Sequence, residues 1–341
     1  MSTNLFDFFK RVLIVIGVAV TPVLIWYLFG VILMAFGAII LAMLLHLGAE
    51  PLVRWLRLPQ WAALTLSGLI VLAVVLGTAY LFGSHLSSQF EDVVQRTTSA
   101  STSIENSLKG SVSGRFLLQH LSSGNLSLTD VLPGLVKMST TFIEAIIIML
   151  ISGAYLAAQP RLYRTGVIWL FPPRHHGRAA EIYDGVGEAL RLWLLGQLIE
   201  MFAIGVLTTL TVWVIGVPSP LALGLIAGIG EFIPYLGPIL AGIPAVLVAL
   251  TKSPETALWT LLAYLVIHQI EGNLVAPLIQ RRMVAIPPAV MLLGIVGISY
   301  LFGAIAIIFA APIAVVIFAA VNLIYVRDTL HEKTALTRKI S

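Results

Sequence analysis

The sequence predicts an all-α membrane protein that crosses the bilayer several times, with broken or re-entrant helices in its C-terminal half and a small helical extracytoplasmic insert. The 341-residue chain is 59% hydrophobic and only 11% charged, and its mean hydropathy is +0.99. Soluble chains carry about 25% charged residues, so a single soluble core could not bury this much apolar surface. Several apolar runs also reach the roughly 20 residues that a helix needs to span a bilayer.

The charge and the cysteine content exclude several function classes. The formal net charge is +4, but the basic residues are scattered between apolar runs, so we predict no nucleic-acid partner. The chain has no cysteine, which excludes disulfides, thiolate metal sites and a cysteine nucleophile. The sequence also lacks a Walker-type phosphate loop, an HExxH motif and a nucleophile elbow. We therefore predict neither an enzyme nor a bound cofactor or metal.

Residues 1–83 form the predicted N-terminal domain of three transmembrane helices. The apolar run at 12–49 has nearly twice the length of a span, and we expect it to form a helical hairpin that turns near Gly30. Because the run continues far beyond the length of a signal peptide, we expect its first span to remain uncleaved. A polar loop follows, and the third span is predicted at about 61–82.

Residues 84–140 are the predicted extracytoplasmic insert. The segment is rich in Ser and Thr, and it contains no apolar run long enough to span a membrane. Its apolar residues between Ile104 and Leu121 are spaced as in one or two amphipathic helices.

Residues 141–326 form the predicted transport core, and residues 327–341 form a polar cytoplasmic tail. Within the core, 159–196 is an arginine-rich linker that the positive-inside rule places in the cytoplasm. Spans are expected on either side of the linker, and the fifth covers about 197–217. A later span is expected at about 256–278.

The segment 221–250 is apolar enough to span a membrane but is interrupted by glycines and prolines. Proline removes a backbone donor, and in hydrocarbon every freed backbone group needs a new partner. We therefore predict two half-helices around an irregular centre, arranged as a re-entrant hairpin. This hairpin also places Arg281 and Arg282 in the cytoplasm, as the positive-inside rule favours. The last apolar block, 283–326, is interrupted in the same way, so we expect it to enter and return, leaving both termini cytoplasmic.

Polar residues at membrane depth are the candidates for a substrate pathway, because buried ionisable groups are costly there and mark pathways in transporters. Glu231 begins the irregular centre, where it could carry a cation or a proton, or only cap the following half-helix. His268 and Glu271 are three residues apart on one helix face, where they could form a gate or proton-handling pair, or only bond neighbouring helices. The predicted pathway residues are Gln197, Glu200, Glu231, Pro234, Gly237, Pro238, Pro244, His268, Gln269, Glu271, Asn273 and Pro277.

Three segments of the C-terminal half resemble a known family. They are GEFIPYLGPILAGIPAVL (230–247), HQIEGNLVAPLIQRRMVAIPP (268–288) and LFGAIAIIFAAPIAVV (301–316), and LWLLGQLIE (192–200) precedes them. With these segments the sequence resembles the autoinducer-2 exporter family of bacterial membrane proteins. The resemblance implies an inner-membrane permease with about eight transmembrane segments, both termini in the cytoplasm, and a homo-oligomeric assembly.

Three functions remain open from the sequence. The first is a secondary permease that exports a small polar metabolite, with the autoinducer-2 signal as a candidate cargo. The second is a sodium- or lithium-proton antiporter that uses Glu231, Glu200, or the pair His268 and Glu271 as carriers. The third is a membrane scaffold that acts through the insert at 84–140. The expected partners are the lipid bilayer, a small-molecule or cation cargo, and further copies of the chain.

Overall fold

The computed structural model describes residues 2–74, 76–77, 80, 145–275, 286–303 and 306–327. Within these ranges every regular element is a helix and no strand occurs, which confirms the all-α class. The insert at 84–140 lies outside the described residues. So do Pro277, Arg281 and Arg282, and the tail beyond Arg327.

The first helix, α1 (Ser2–Leu56), is continuous over 55 residues. The hairpin expected near Gly30 is therefore wrong. A single glycine costs a helix only about 1 kcal/mol relative to alanine, and the neighbouring leucine and phenylalanine do not break helices. Lys10 and Arg54 consequently lie about 66 Å apart along one axis, whereas the hairpin would have placed them on the same side of the membrane.

Three shorter helices follow, α2 (Gln60–Val74), α3 (Ala145–Ala158) and α4 (Pro160–Trp169). Ala42 of α1 and Ala157 of α3 share a buried cluster, against which Leu64 of α2 packs. Helices α3 and α4 meet at an angle of 91°. The bend falls at Gln159, since a proline disfavours helical conformation in the residue before it.

The central helix, α5 (His176–Ile215), runs for 40 residues. The sequence divided this stretch into a cytoplasmic linker and a separate fifth span, but the structure joins them without a break. Near its start, Asp184 accepts two hydrogen bonds from Arg164 of α4, at 2.7 and 2.6 Å. The helix ends at Gly216, whose φ of 79° is a left-handed conformation that glycine adopts at low cost.

Helices α6 (Pro220–Gly230) and α7 (Leu236–Lys252) form an antiparallel hairpin. One buried cluster joins Leu223, near the start of α6, to Val248, near the end of α7. The segment 221–250 thus contains two helices joined by an irregular turn. The two ends of the hairpin lie close together. Lys252 Nζ, at the end of α7, donates a 2.9 Å hydrogen bond to the carbonyl oxygen of Gly216, where α5 ends just before α6.

Helix α8 (Pro254–Ile270) runs back beside α7. Ser253 caps its first turn, since the Ser253 hydroxyl accepts a 3.0 Å hydrogen bond from the backbone N–H of Thr256. Tyr264 belongs to the same buried cluster as Val248 of α7. After Ile270 the helix widens into a π-helical turn, Glu271–Val275, which lies at the level of the α6–α7 turn.

A second hairpin is formed by α9 (Pro288–Phe302) and α10 (Ile307–Val321). Ile295 of α9 and Val315 of α10 share the main buried cluster with Leu194 of α5. The described part of the final apolar block therefore folds back on itself as a helical hairpin. Because α5 also contacts α6, and Val212 of α5 belongs to the buried cluster that joins α6 to α7, α5 is the element around which both hairpins pack.

Three described stretches are long and apolar enough to cross a bilayer, and the bent pair α3–α4 would be a fourth. The three are Trp26–Leu56, Pro173–Ile215 and Ile307–Val326. A multi-pass membrane protein follows from these helices. The expectation of about eight spans stays a prediction.

Candidate functional site

The turn of the α6–α7 hairpin, residues 231–235, is held against α5. The ring of Phe232 lies edge-on to the ring of Trp193, with 6.1 Å between the ring centroids. Gln197 is buried, and its Nε2 donates a 2.8 Å hydrogen bond to the backbone carbonyl of Glu231. Two side chains of α5 therefore fix the position of the turn.

The backbone of this turn is strained at Tyr235, which has φ 69° and ψ −39°. The N–H of Leu236 donates to the carbonyl of Pro234 at 2.9 Å, which closes a three-residue γ-turn. A non-glycine residue in a sparsely populated region of this kind costs about 1–3 kcal/mol, and such strain is concentrated at functional sites.

Close glycine packing forms the neck of the hairpin. A Cβ on Gly237 would lie 1.8 Å from the carbonyl oxygen of Gly230. Only glycine therefore allows the two backbones to cross at this distance. Pro238 stands in the first turn of α7, where its missing N–H removes no intrahelical hydrogen bond.

Glu231 is the most deeply buried ionisable group of the turn. The residue is 2% exposed, and its Oε2 has no hydrogen-bond partner in the part of the chain that the structure describes. Most buried polar atoms in folded proteins have a partner, and an unpaired one is costly in an apolar environment. A buried carboxylate in this condition is a candidate for binding a proton, a cation or a solute.

The end of α8 brings two more ionisable groups to the turn. His268 Nδ1 lies 2.7 Å from Glu271 Oε2, which confirms the pairing predicted from their spacing. The Nε2 of His268 and the hydroxyl of Tyr264 are buried, and neither has a partner among the described residues. The Tyr264 and His268 rings are adjacent, with centroids 6.1 Å apart.

These groups converge into one polar cluster between α5, the hairpin turn and the end of α8. Glu231, His268 and Glu271 each offer one donor atom, and the three atoms all lie within 4.8 Å of one another. Glu200 of α5 is close enough to interact electrostatically with Glu231 and Glu271. The cluster can therefore hold positive charge or polar groups inside an otherwise apolar helical bundle.

The structure brings some of the predicted pathway residues together and separates others. Gln197, Glu200, Glu231, His268 and Glu271 meet at the cluster, and Pro234, Gly237 and Pro238 shape the turn beside it. Pro244 lies within α7, two turns beyond the neck of the hairpin.

Gln269 and Asn273 do not reach the cluster. Both are exposed, and Asn273 Nδ2 donates to Gln269 Oε1 at 3.1 Å. They line an outward-facing apolar groove together with Trp259. Pro277 lies outside the described residues.

Tyr264 is the residue that the sequence reasoning missed. It is 4% exposed and carries an unpartnered hydroxyl near His268. The signal was present in the sequence, because residues four apart on a helix share one face.

The described helices and the buried polar cluster define a multi-pass membrane protein with an interrupted helical hairpin at its candidate functional site. Residues 13–325 match the sequence profile of a family described as AI-2E family transporter. The chain therefore belongs to the AI-2E transporter family, as the resemblance of its C-terminal motifs predicted.

Individual relatives support the same assignment. The chain is 31% identical over 163 residues to YrrI of Bacillus subtilis strain 168, whose name describes a transport protein. This alignment covers 48% of this chain and 46% of YrrI. The chain is also 26% identical over 152 residues to PerM of Escherichia coli K12, whose name describes a permease. This alignment covers 44% of this chain and 43% of PerM. The alignment with the AI-2 transport protein TqsA of Escherichia coli K12 is longer, 25% identical over 299 residues, covering 84% of this chain and 83% of TqsA. The first two alignments span about half the length of the relatives they match.

Proposed function

We propose that this protein is a permease that carries a small polar metabolite across the bacterial inner membrane, along a path that passes the polar cluster. The observation that carries the proposal is the buried carboxylate of Glu231 at a strained break between two half-helices. Broken helices at membrane depth are tolerated where they line a cavity or are buried in protein, and they often form transporter binding sites.

The first cargo to test is the autoinducer-2 signal. The name of TqsA describes a transport protein for AI-2, and the alignment with TqsA extends over most of both chains. Autoinducer-2 is small and polar, so it needs hydrogen-bonding partners on its way through hydrocarbon. Glu231, Glu271, His268 and the hydroxyl of Tyr264 could supply them.

We infer the orientation from the arginines. The positive-inside rule places α4 and the start of α5 in the cytoplasm. Helix α5 then leads outward, the α6–α7 hairpin enters and returns to the outer face at Lys252, and α8 leads back in. Because α1 is one continuous helix, the cytoplasmic N-terminus expected from the sequence no longer follows.

Flux through proteoliposomes tests the transport function directly. Purified protein is reconstituted with autoinducer-2 inside the vesicles, and efflux is followed against empty vesicles, with EDTA present throughout. We expect efflux by the natural protein and a clear loss in Glu231→Gln. Glu255→Gln, which changes an exposed carboxylate on α8, is the matched control and should keep full flux. Equal flux in protein-containing and empty vesicles, for autoinducer-2 and for a panel of small polar metabolites, would overturn the proposal.

Cysteine labelling tests the re-entrant hairpin, and the absence of natural cysteine makes the experiment simple. Single cysteines at positions 252 and 281 are probed in intact cells with an impermeant maleimide. We expect labelling at 252 and none at 281. The reverse result would show that the hairpin does not fold back within the membrane.

The other functions considered from the sequence are weaker. The comparisons give no support to the antiporter hypothesis. The scaffold hypothesis concerns the insert at 84–140, outside the described residues, and stays a prediction. We also propose a homo-oligomer, which mass measurement of the detergent-solubilised protein by light scattering would test.

A further inference from the structure

The geometry of the polar cluster points to a cation site. Glu231 comes from the hairpin turn, and His268 and Glu271 come from the end of α8, so two separate elements contribute donor atoms. One donor atom of each side chain lies within 4.8 Å of the other two. This arrangement combines one imidazole nitrogen with two carboxylate oxygens.

Two of these side chains have atoms that lack a partner. Glu231 is 2% exposed, and its Oε2 forms no hydrogen bond within the described residues. His268 uses Nδ1 toward Glu271, which leaves its buried Nε2 without a partner in the same part of the chain. Unpaired buried atoms on two side chains of one cluster are available to a further group.

The charge of the surroundings favours a cation over an anion or a neutral solute at this point. Glu200 lies within electrostatic range of both Glu231 and Glu271, so a third carboxyl group adds negative charge near the cluster. Within the described residues, no lysine or arginine forms an ion pair with any of the three. In a low-dielectric interior, several carboxylates can remain ionised together only if a positive charge compensates them.

The donor set selects the class of cation. Imidazole nitrogen suits zinc and its first-row neighbours, whereas magnesium and calcium prefer oxygen ligands alone. Tetrahedral zinc, with ligands at about 2.0–2.2 Å, separates its ligand atoms by roughly 3.4 Å. Side-chain rotation from the observed spacing of up to 4.8 Å reaches that value.

We propose that Glu231, His268 and Glu271 together bind one divalent transition-metal ion of the zinc class. Three protein ligands leave a coordination position open for water or a solute, and Glu200 adds negative charge nearby. The proposal does not rest on the transport function, because metal binding can be measured on protein that is not transporting.

Metal binding by the purified full-length protein tests the site. The protein is stripped with EDTA in detergent, titrated with Zn²⁺ by calorimetry, and analysed for bound metal after desalting. We expect about one Zn²⁺ per chain, and at least a roughly tenfold weaker affinity in Glu231→Gln and in His268→Ala. Excess Mg²⁺ should not displace the zinc. His175→Ala and Glu255→Gln change exposed groups away from the cluster and should bind as the natural protein does.

Two results would overturn the proposal. One is the absence of stoichiometric Zn²⁺ binding, which would leave protons as the only positive charge at the cluster. The other is binding that survives both ligand substitutions and is lost in His175→Ala, which would locate the metal on the surface. His268 is partly exposed, so its truncation leaves a testable protein even if Glu231→Gln fails to fold, and circular dichroism checks each variant.

Discussion

The contact between Gly230 and Gly237 leads to the sharpest prediction, because a single methyl group should separate the two half-helices. In Gly237→Ala the new Cβ would lie 1.8 Å from the carbonyl oxygen of Gly230 and 2.4 Å from its carbonyl carbon. Cβ atoms essentially never come within 3.0 Å of another heavy atom, so the backbones must part by at least 1.2 Å (3.0 − 1.8). Neither contact can be relieved by a side-chain rotation.

The expected cost is therefore at the upper end of the range for overpacked sites, about 3 kcal/mol of unfolding free energy. Unfolding by SDS in mixed micelles, followed by circular dichroism, measures it. The matched control is Gly297→Ala in α9, where an added Cβ would meet nothing within 4 Å. That substitution should be neutral or stabilise the protein by up to about 1 kcal/mol, since alanine favours helix. If Gly237→Ala is as stable as the natural protein, the two backbones do not touch and the described neck is wrong.

Three further substitutions test the support of the turn. Gln197→Leu leaves the buried carbonyl of Glu231 without its donor and should lower the unfolding free energy by about 1–3 kcal/mol in the same SDS titration. Tyr235→Gly removes the strain at positive φ, so the protein should gain up to about 1 kcal/mol after the entropic cost of glycine; a loss of stability would show that the tyrosine ring outweighs the strain. Lys252→Met removes the hydrogen bond to Gly216 and should speed amide hydrogen exchange at the start of α6, as followed by mass spectrometry. Unchanged exchange there would mean that the bond does not secure the hairpin.

Local features of the sequence predicted the hairpin and part of the site. The prolines and glycines between Gly230 and Pro244 remove backbone donors or permit close approach, and both effects act within a few residues. The same holds for the pairing of His268 with Glu271, which depends only on helical spacing. Features that depend only on residues a few positions apart can be predicted without knowing which helices are neighbours.

Features that depend on distant packing could not be predicted in the same way. The meeting of Glu200 with Glu231 and Glu271 requires α5 and α8 to pack on the same side of the turn, which spacing within one helix does not specify. Gln269 is adjacent to His268 in the chain, but one residue turns a helix by about 100°, and its side chain faces outward. The hairpin predicted at Gly30 is wrong because a lone glycine weakens a helix without determining where it ends.

The α6–α7 hairpin is held at both of its ends, at its base by Lys252 and at its turn by Trp193 and Gln197 of α5. Its base is secured where Lys252 meets Gly216, and Glu231 sits at the opposite end, beyond the 17 residues of α7. A helix of that length measures about 25 Å, so without the contacts to α5 a tilt of about 5° at the base would displace the turn by roughly 2 Å. A displacement of that size is enough to make or break a hydrogen bond to a carboxylate group. The contacts of the turn with α5 therefore keep a small tilt at the base from moving Glu231 relative to His268 and Glu271.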